Sequence, residues 1–205
     1  MRGLGIAMER QASVLKRPLW TTRELLTAMV IAVVFGIAVV SSTYLYAAVL
    51  GLGIFARSAA TGLFFLPAAF AAYVLRKPGA VLLVCVVSGL VAIPFTPYGL
   101  LVLGIGGLTG AIGELATWIV TRYRDFGLPR LMATGALAGL IEFGSVLASS
   151  LRSTPLTPAL VVLATALSVG AFVVAALAGY ALANAVQRTG VLANTALGRE
   201  QMEAQ

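Results

Sequence analysis

Apolar residues dominate the chain in long charge-free stretches, interrupted by Gly, Pro and small clusters of Lys and Arg. A bilayer-crossing helix needs roughly 20 apolar residues, and the interruptions mark out six such pieces. Thr21 to Thr43 is the first; its Thr21-x-x-Glu24 start has capping-box spacing, hydroxyl and carboxylate each taking one first-turn amide. Trp20 beside it suits the headgroup level. Around Tyr44 and Tyr46 begins an apolar, glycine-containing connection, Leu45 to Arg57, and then a second span, Ser58 to Leu75, that stops at Arg76-Lys77-Pro78-Gly79. Pro94-Phe95-Thr96-Pro97 breaks the next long run into spans Ala80 to Ile93 and Gly99 to Val120, since proline ends a helix. Pro129 suits the first turn of a fifth span that ends before Arg152, and Thr154 to Pro158 turns into a sixth that reaches about Val186.

The pattern predicts an all-α integral membrane six-helix bundle over residues 21–187, with a leader, 1–20, and a polar tail, 188–205. Alternating sides then sort the cations. One side collects Arg2, Arg10, Lys16, Arg17, Arg23, Arg76, Lys77, Arg122, Arg124, Arg130, Arg188 and Arg199, and the other only Arg57 and Arg152. Positive charge is retained in the cytoplasm, so both termini are expected there and the chain is expected to be multi-pass in the cell inner membrane.

Composition agrees with lipid as the solvent: 205 residues, 60% of them hydrophobic, 10% charged, with a mean hydropathy of +1.00. A net charge of +7 would point to nucleic acid in a soluble protein, but here the cations punctuate apolar runs, and no nucleic-acid partner is expected. The absence of histidine removes the commonest general base and the usual metal ligand, so neither catalytic residues, a metal nor a cofactor is expected. Cys85 is a small residue inside an apolar run.

Several motif matches lack the context that gives them meaning. Gly51-x-Gly53-x-x-Ala56 follows no strand, Ser13-x-x-Lys16 and Asp125-Phe126-Gly127 lack partner motifs, and no nucleotide-binding P-loop occurs. Small residues four apart do have a use, because helices in lipid pack through them. Ala28, Ala32 and Gly36 form such a stripe on the first span, Gly106 and Gly110 on the fourth, Gly135 and Gly139 on the fifth, and Ala175 and Gly179 on the sixth. Each suits either an internal seam or a second subunit.

Glu114 and Glu142 lie deep inside predicted spans, where an acid is costly unless partnered and so points to function. At about 1.5 Å per residue, Glu142 lies roughly 18 Å from Arg130, near the midplane or in the outer half, and Glu114 roughly 12 Å from Arg122. Glu142 is the better placed to meet a ligand; Glu114 has a structural alternative as a hydrogen-bonded support. Ser41, Ser42, Tyr44, Tyr46, Phe64, Phe65, Phe95, Thr96 and Tyr98 gather near the outer span ends, the tyrosines as interfacial anchors or the whole set as an aromatic, weakly polar vestibule, with the first connection as its lid.

Leu63 to Pro67, Arg76-Lys77-Pro78-Gly79-Ala80, Tyr98-Gly99, Gly110 to Glu114-Leu115, Arg122-Tyr123-Arg124 and Gly127-Leu128-Pro129 together give the chain a family resemblance, over about residues 20 to 145. It resembles the substrate-binding S component of an energy-coupling-factor (ECF) transporter, of the YkoE type associated with hydroxymethylpyrimidine or thiamine. The resemblance implies a six-helix bundle that binds a vitamin near the outside, with a transmembrane coupling subunit and two cytoplasmic ATPases as partners. It implies that Ala28, Ala32 and Gly36 dock onto the coupling subunit, and that Glu114 hydrogen-bonds an aminopyrimidine. Tyr98 would stack on the heterocycle, with Tyr44, Tyr46, Phe64 and Glu142 completing the site. A membrane enzyme, an assembly factor and an S component for a different heterocycle are the competing readings.

Overall fold

The computed structural model describes residues 20–150 and 157–189. The leader, the tail from residue 190 and the turn containing Arg152 lie outside the described residues.

Among the described residues, seven α-helices build six membrane-crossing units. Helix α1 (Thr22–Val49) is followed by α2 (Ile54–Thr61) and α3 (Leu66–Leu75), which a 3-10 turn, Gly62–Phe65, joins into the second unit. Helix α4 (Ala80–Ala92) continues into a 3-10 turn, Ile93–Phe95, and α5 (Leu101–Thr121), α6 (Leu128–Ser150) and α7 (Pro158–Gln187) complete the bundle. The units Thr22–Val49, Ile54–Leu75, Leu101–Thr121 and Pro158–Gln187 are long and apolar enough to span a membrane on length and composition alone, and Ala80–Phe95 is a shorter apolar helix.

Both hydrogen bonds of the expected capping box form at the start of α1. The Thr21 amide donates to Glu24 Oε2 at 2.9 Å, and the Glu24 amide to Thr21 Oγ1 at 3.3 Å. The first connection departs from expectation. Helix α1 runs on past Tyr44 and Tyr46 to Val49, and α2 begins at Ile54, leaving a short turn of residues 50–53 in place of a long lid. Gly53, at φ 93°, makes the reversal that only glycine makes cheaply. An apolar stretch at this depth is better off helical, because helical amides need no water.

Close backbone approach holds the bundle together, as small residues allow. A Cβ on Gly106 would fall 2.8 Å from the Cys85 carbonyl oxygen in the α4–α5 seam, and one on Gly135 would fall 2.8 Å from the Phe172 carbonyl oxygen in the α6–α7 seam. Gly179 meets Ala69 and Phe70 of α3. The stripe on α1, expected from the resemblance to dock a coupling subunit, packs within the chain in the same way. Ala28 and Ala32 have no exposed surface, the Ser88 hydroxyl of α4 donates to the Ala32 carbonyl at 2.9 Å, and a Cβ on Gly36 would fall 2.7 Å from Val91. That face of α1 is occupied by α4, so no partner helix reaches it while the seam is closed. The outward face of α1 carries Val30, Val33, Val34 and Ile37, which remain exposed in the isolated chain.

Candidate functional site

Chain reversals at one end of the bundle bring together the start of α1, the turns 76–79 and 122–127, and the end of α7. Arg23, Arg76, Lys77, Arg122, Arg124, Arg130 and Arg188 therefore share this basic end, and Arg57 sits at the opposite one.

Glu114 faces the basic end. Helix α4 starts at Ala80 after Pro78 and Gly79, and its first amides have no carbonyl of their own helix to bind. Glu114, reaching across from α5, supplies the acceptors: Oε1 takes the Gly79 amide at 2.7 Å, and Oε2 takes those of Val81 at 3.0 Å and Leu82 at 3.3 Å. The Tyr123 hydroxyl donates to Oε1 as well. Burial, followed by the bond to Glu114 and its charge, pushes the Tyr123 phenol well above its usual range. Arg76 and Arg122, the C-caps of α3 and α5, and Tyr123 beside Arg122 all hold left-handed backbone, at φ 51°, 47° and 56°. Such backbone costs about 1–2 kcal/mol per non-glycine residue, and the surrounding contacts hold it there. Arg76 lies over the Tyr73 and Phe126 rings, and Lys77 pairs with Glu24 at 2.6 Å. Glu114 is thus a cap and a clasp between two turns, away from the aromatic residues with which the resemblance groups it.

The other expected site residues lie toward the opposite end. Tyr46 meets Phe64 edge-on with ring centroids 5.9 Å apart, and its hydroxyl accepts from Arg57 Nε at 3.3 Å. Phe64 and Tyr98 both pack against a small apolar cluster, Val39, Ala92 and Val102. Tyr46, Phe64 and Tyr98 therefore gather on one cluster. Tyr44 stands at its edge, 55% exposed, its hydroxyl donating to the Phe95 carbonyl at 3.0 Å. Beneath Phe64 lies a cavity of about 10 Å³ lined by Val39, Cys85, Gly89, Val102 and Thr109. That is room for about one water, so a vitamin-sized ligand enters this region only by parting the helices around it.

Glu142, on α6, is half-buried, and its Oε2 is buried without a hydrogen-bond partner. The hydroxyls of Ser58, on α2, and Thr96, in the turn before α5, share that condition. A buried polar atom left unpaired costs about 1–3 kcal/mol, and native structures contain few. Sequence reasoning places Thr96 in the outer vestibule but misses Ser58, since a lone hydroxyl among apolar residues gives no signal in a sequence. It also missed Arg57 as the partner of Tyr46.

Comparison with known proteins agrees with this architecture. Residues 23–141 match the family described as ABC-type cobalt transport system, permease component. The chain is 31% identical over 184 residues to the putative HMP/thiamine permease protein YkoE of Bacillus subtilis (strain 168), covering 88% of this chain and 92% of that protein. It also superposes on the crystal structure of an S component of an ECF transporter with a TM-score of 0.81, at 28% identity, over 90% of this chain and 94% of the other. These relatives are transport proteins and not enzymes. With six membrane-crossing units in the same arrangement and the family match over more than half its length, the chain belongs to the ABC-type cobalt transport permease-component family, as a YkoE-like S component of an ECF transporter.

Proposed function

We propose that the protein captures thiamine or its hydroxymethylpyrimidine precursor from outside the cell and delivers it inward. A transmembrane coupling subunit and two cytoplasmic ATPases complete the transporter, and the ATPases supply the nucleotide site that this chain lacks. The observation that carries the reading is the set of unpaired buried polar atoms, Ser58 Oγ, Thr96 Oγ1 and Glu142 Oε2, in the half of the bundle that also holds Tyr46, Phe64 and Tyr98. Aromatic faces beside a few unsatisfied polar groups suit a flat, polar-edged heterocycle. The name of the Bacillus relative supports the same cargo.

The basic end, with Arg76, Lys77, Arg122 and Arg124, faces the cytoplasm in this reading, so the aromatic half opens outward. The chain then lies in the cell inner membrane with both termini inside. Cobalt, the ion in the family's description, is the poorer cargo on ligand chemistry. The sequence has no histidine, Cys85 is buried, and among the described residues no three His, Cys, Asp or Glu side chains converge.

Isothermal titration of the detergent-purified protein with thiamine and with hydroxymethylpyrimidine tests the proposal. Saturable one-to-one binding of either supports it. Failure of both to bind overturns it while leaving fold and family untouched.

A further inference from the structure

Ser58 and Glu142 come from different membrane-crossing units yet stand level with the same turn of a third. Contacts of Gly62 with Ala171 and of Gly179 with Ala69 show that the second unit and α7 run parallel. Those of Gly135 with Phe172 and of Gly139 with Val169 show that α6 and α7 run antiparallel. Ser58 is one turn before Gly62, and Glu142 about one turn after Gly139. Moving one turn away from the basic end in each case, roughly 5–6 Å, leads to about residues 165–168 of α7. The hydroxyls that α7 brings there already donate, Ser168 to the Gly139 carbonyl at 3.3 Å and Thr165 to the Val161 carbonyl at 2.7 Å. Ser58 Oγ and Glu142 Oε2 have no such partner, and neither described salt bridge includes Glu142.

We infer that Glu142 and Ser58 form the polar end of the ligand site and select the cargo by an amino group on its heteroaromatic ring. The inference rests on the proposed capture of such a heterocycle and assigns which side chains read it. An ionised carboxylate only accepts hydrogen bonds, and an exocyclic amine offers it N–H donors; the serine hydroxyl at the same level donates to a ring nitrogen or accepts. An oxo group in place of the amine sets acceptor against acceptor, and a site built for a donor rejects an analogue that lacks it. Glu114, to which the resemblance gives this task, already accepts from three backbone amides and a phenol.

The test is calorimetric titration of the full chain in detergent with thiamine and with its 4-oxo analogue, in which oxygen replaces the exocyclic amine. Wild type is expected to prefer the amine by about 100-fold or more. Glu142→Gln, whose amide donates, should erase or reverse that preference. Ser58→Ala should weaken thiamine binding by about 10-fold. Wild-type affinities and preference in both variants overturn the assignment, and loss of the preference in Glu114→Gln would transfer it to that residue. If Glu142→Gln fails to fold, Glu142→Asp keeps the charge and shortens the reach; unchanged thiamine affinity in that variant also overturns the assignment. Wild type that binds neither compound removes the cargo reading and this assignment with it.

Discussion

The two ends of the bundle treat polar groups differently. At the basic end, Glu24 accepts from the Thr21 amide and pairs with Lys77, Glu114 gathers three amides and a phenol, and the Tyr73 hydroxyl donates to Asn184 Oδ1 at 3.4 Å. At the opposite end, Ser58, Thr96 and Glu142 keep buried atoms without partners, and the contacts are aromatic. A dense hydrogen-bond network fixes geometry, whereas unsatisfied groups beside adaptable rings wait for something to complete them. An intramembrane acid therefore does not by itself mark a ligand site; what matters is whether the fold has already satisfied it.

The largest effects should come from the two acids and should cross. Glu114→Ala strips the cap from α4 and is expected to cost about 3 kcal/mol of stability, because several amides lose a charged acceptor. Its thiamine affinity, measured where the variant is still folded, should stay within about twofold of wild type, since distant sites act independently. Glu142→Gln should do the reverse, leaving the melting temperature close to wild type and weakening thiamine binding by at least about 10-fold. The opposite pattern would break the comparison between the ends.

Smaller effects sharpen it. Ala32→Leu forces a large side chain into the closed α1–α4 seam and should destabilise by about 2 kcal/mol in thermal unfolding, whereas Val33→Leu on the exposed face should be silent. If both are silent, the seam is not where α1 is held. Tyr123 gives a pH signature. Folding raises its pKa, so its contribution to stability is present below the ordinary tyrosine value near 10 and is lost as pH rises toward the folded value. Melting temperature should therefore fall above about pH 10, and Tyr123→Phe should remove part of that alkaline slope. The smallest effect belongs to Arg57→Ala, which removes only a 3.3 Å contact with Tyr46 and should change stability by less than about 0.5 kcal/mol.

Much of the fold was legible because lipid imposes a simple grammar of apolar length, proline breaks and cation clusters. The capping box at Thr21 and Glu24, the hairpin at Arg76 to Gly79 and the seams at Gly106, Gly135 and Gly179 all depend on local or periodic patterns. The extension of α1 to Val49 was not legible: tyrosines and glycines read as a connection, but apolar depth favours helix. The Ala28, Ala32 and Gly36 stripe is visible in the sequence, yet spacing alone does not say which helix fills it. The aromatic cluster was legible in its membership, since Tyr46, Phe64 and Tyr98 do gather, with Arg57 added by folding. The cap that Glu114 makes joins residues more than thirty positions apart, and no local pattern announces it.

Helix α4 has one more consequence. With the 3-10 turn that continues it, Ala80–Phe95 rises about 25 Å, short of a hydrocarbon core of roughly 30 Å. Such hydrophobic mismatch is relieved by local thinning of the bilayer, by flanking side chains reaching to the interface or by association with neighbouring helices. The turns flanking α4, one clasped by Glu114 and the other holding Thr96, would sit in two facing dimples. Local thinning there would bring the two interfaces closer together along α4 than elsewhere around the bundle.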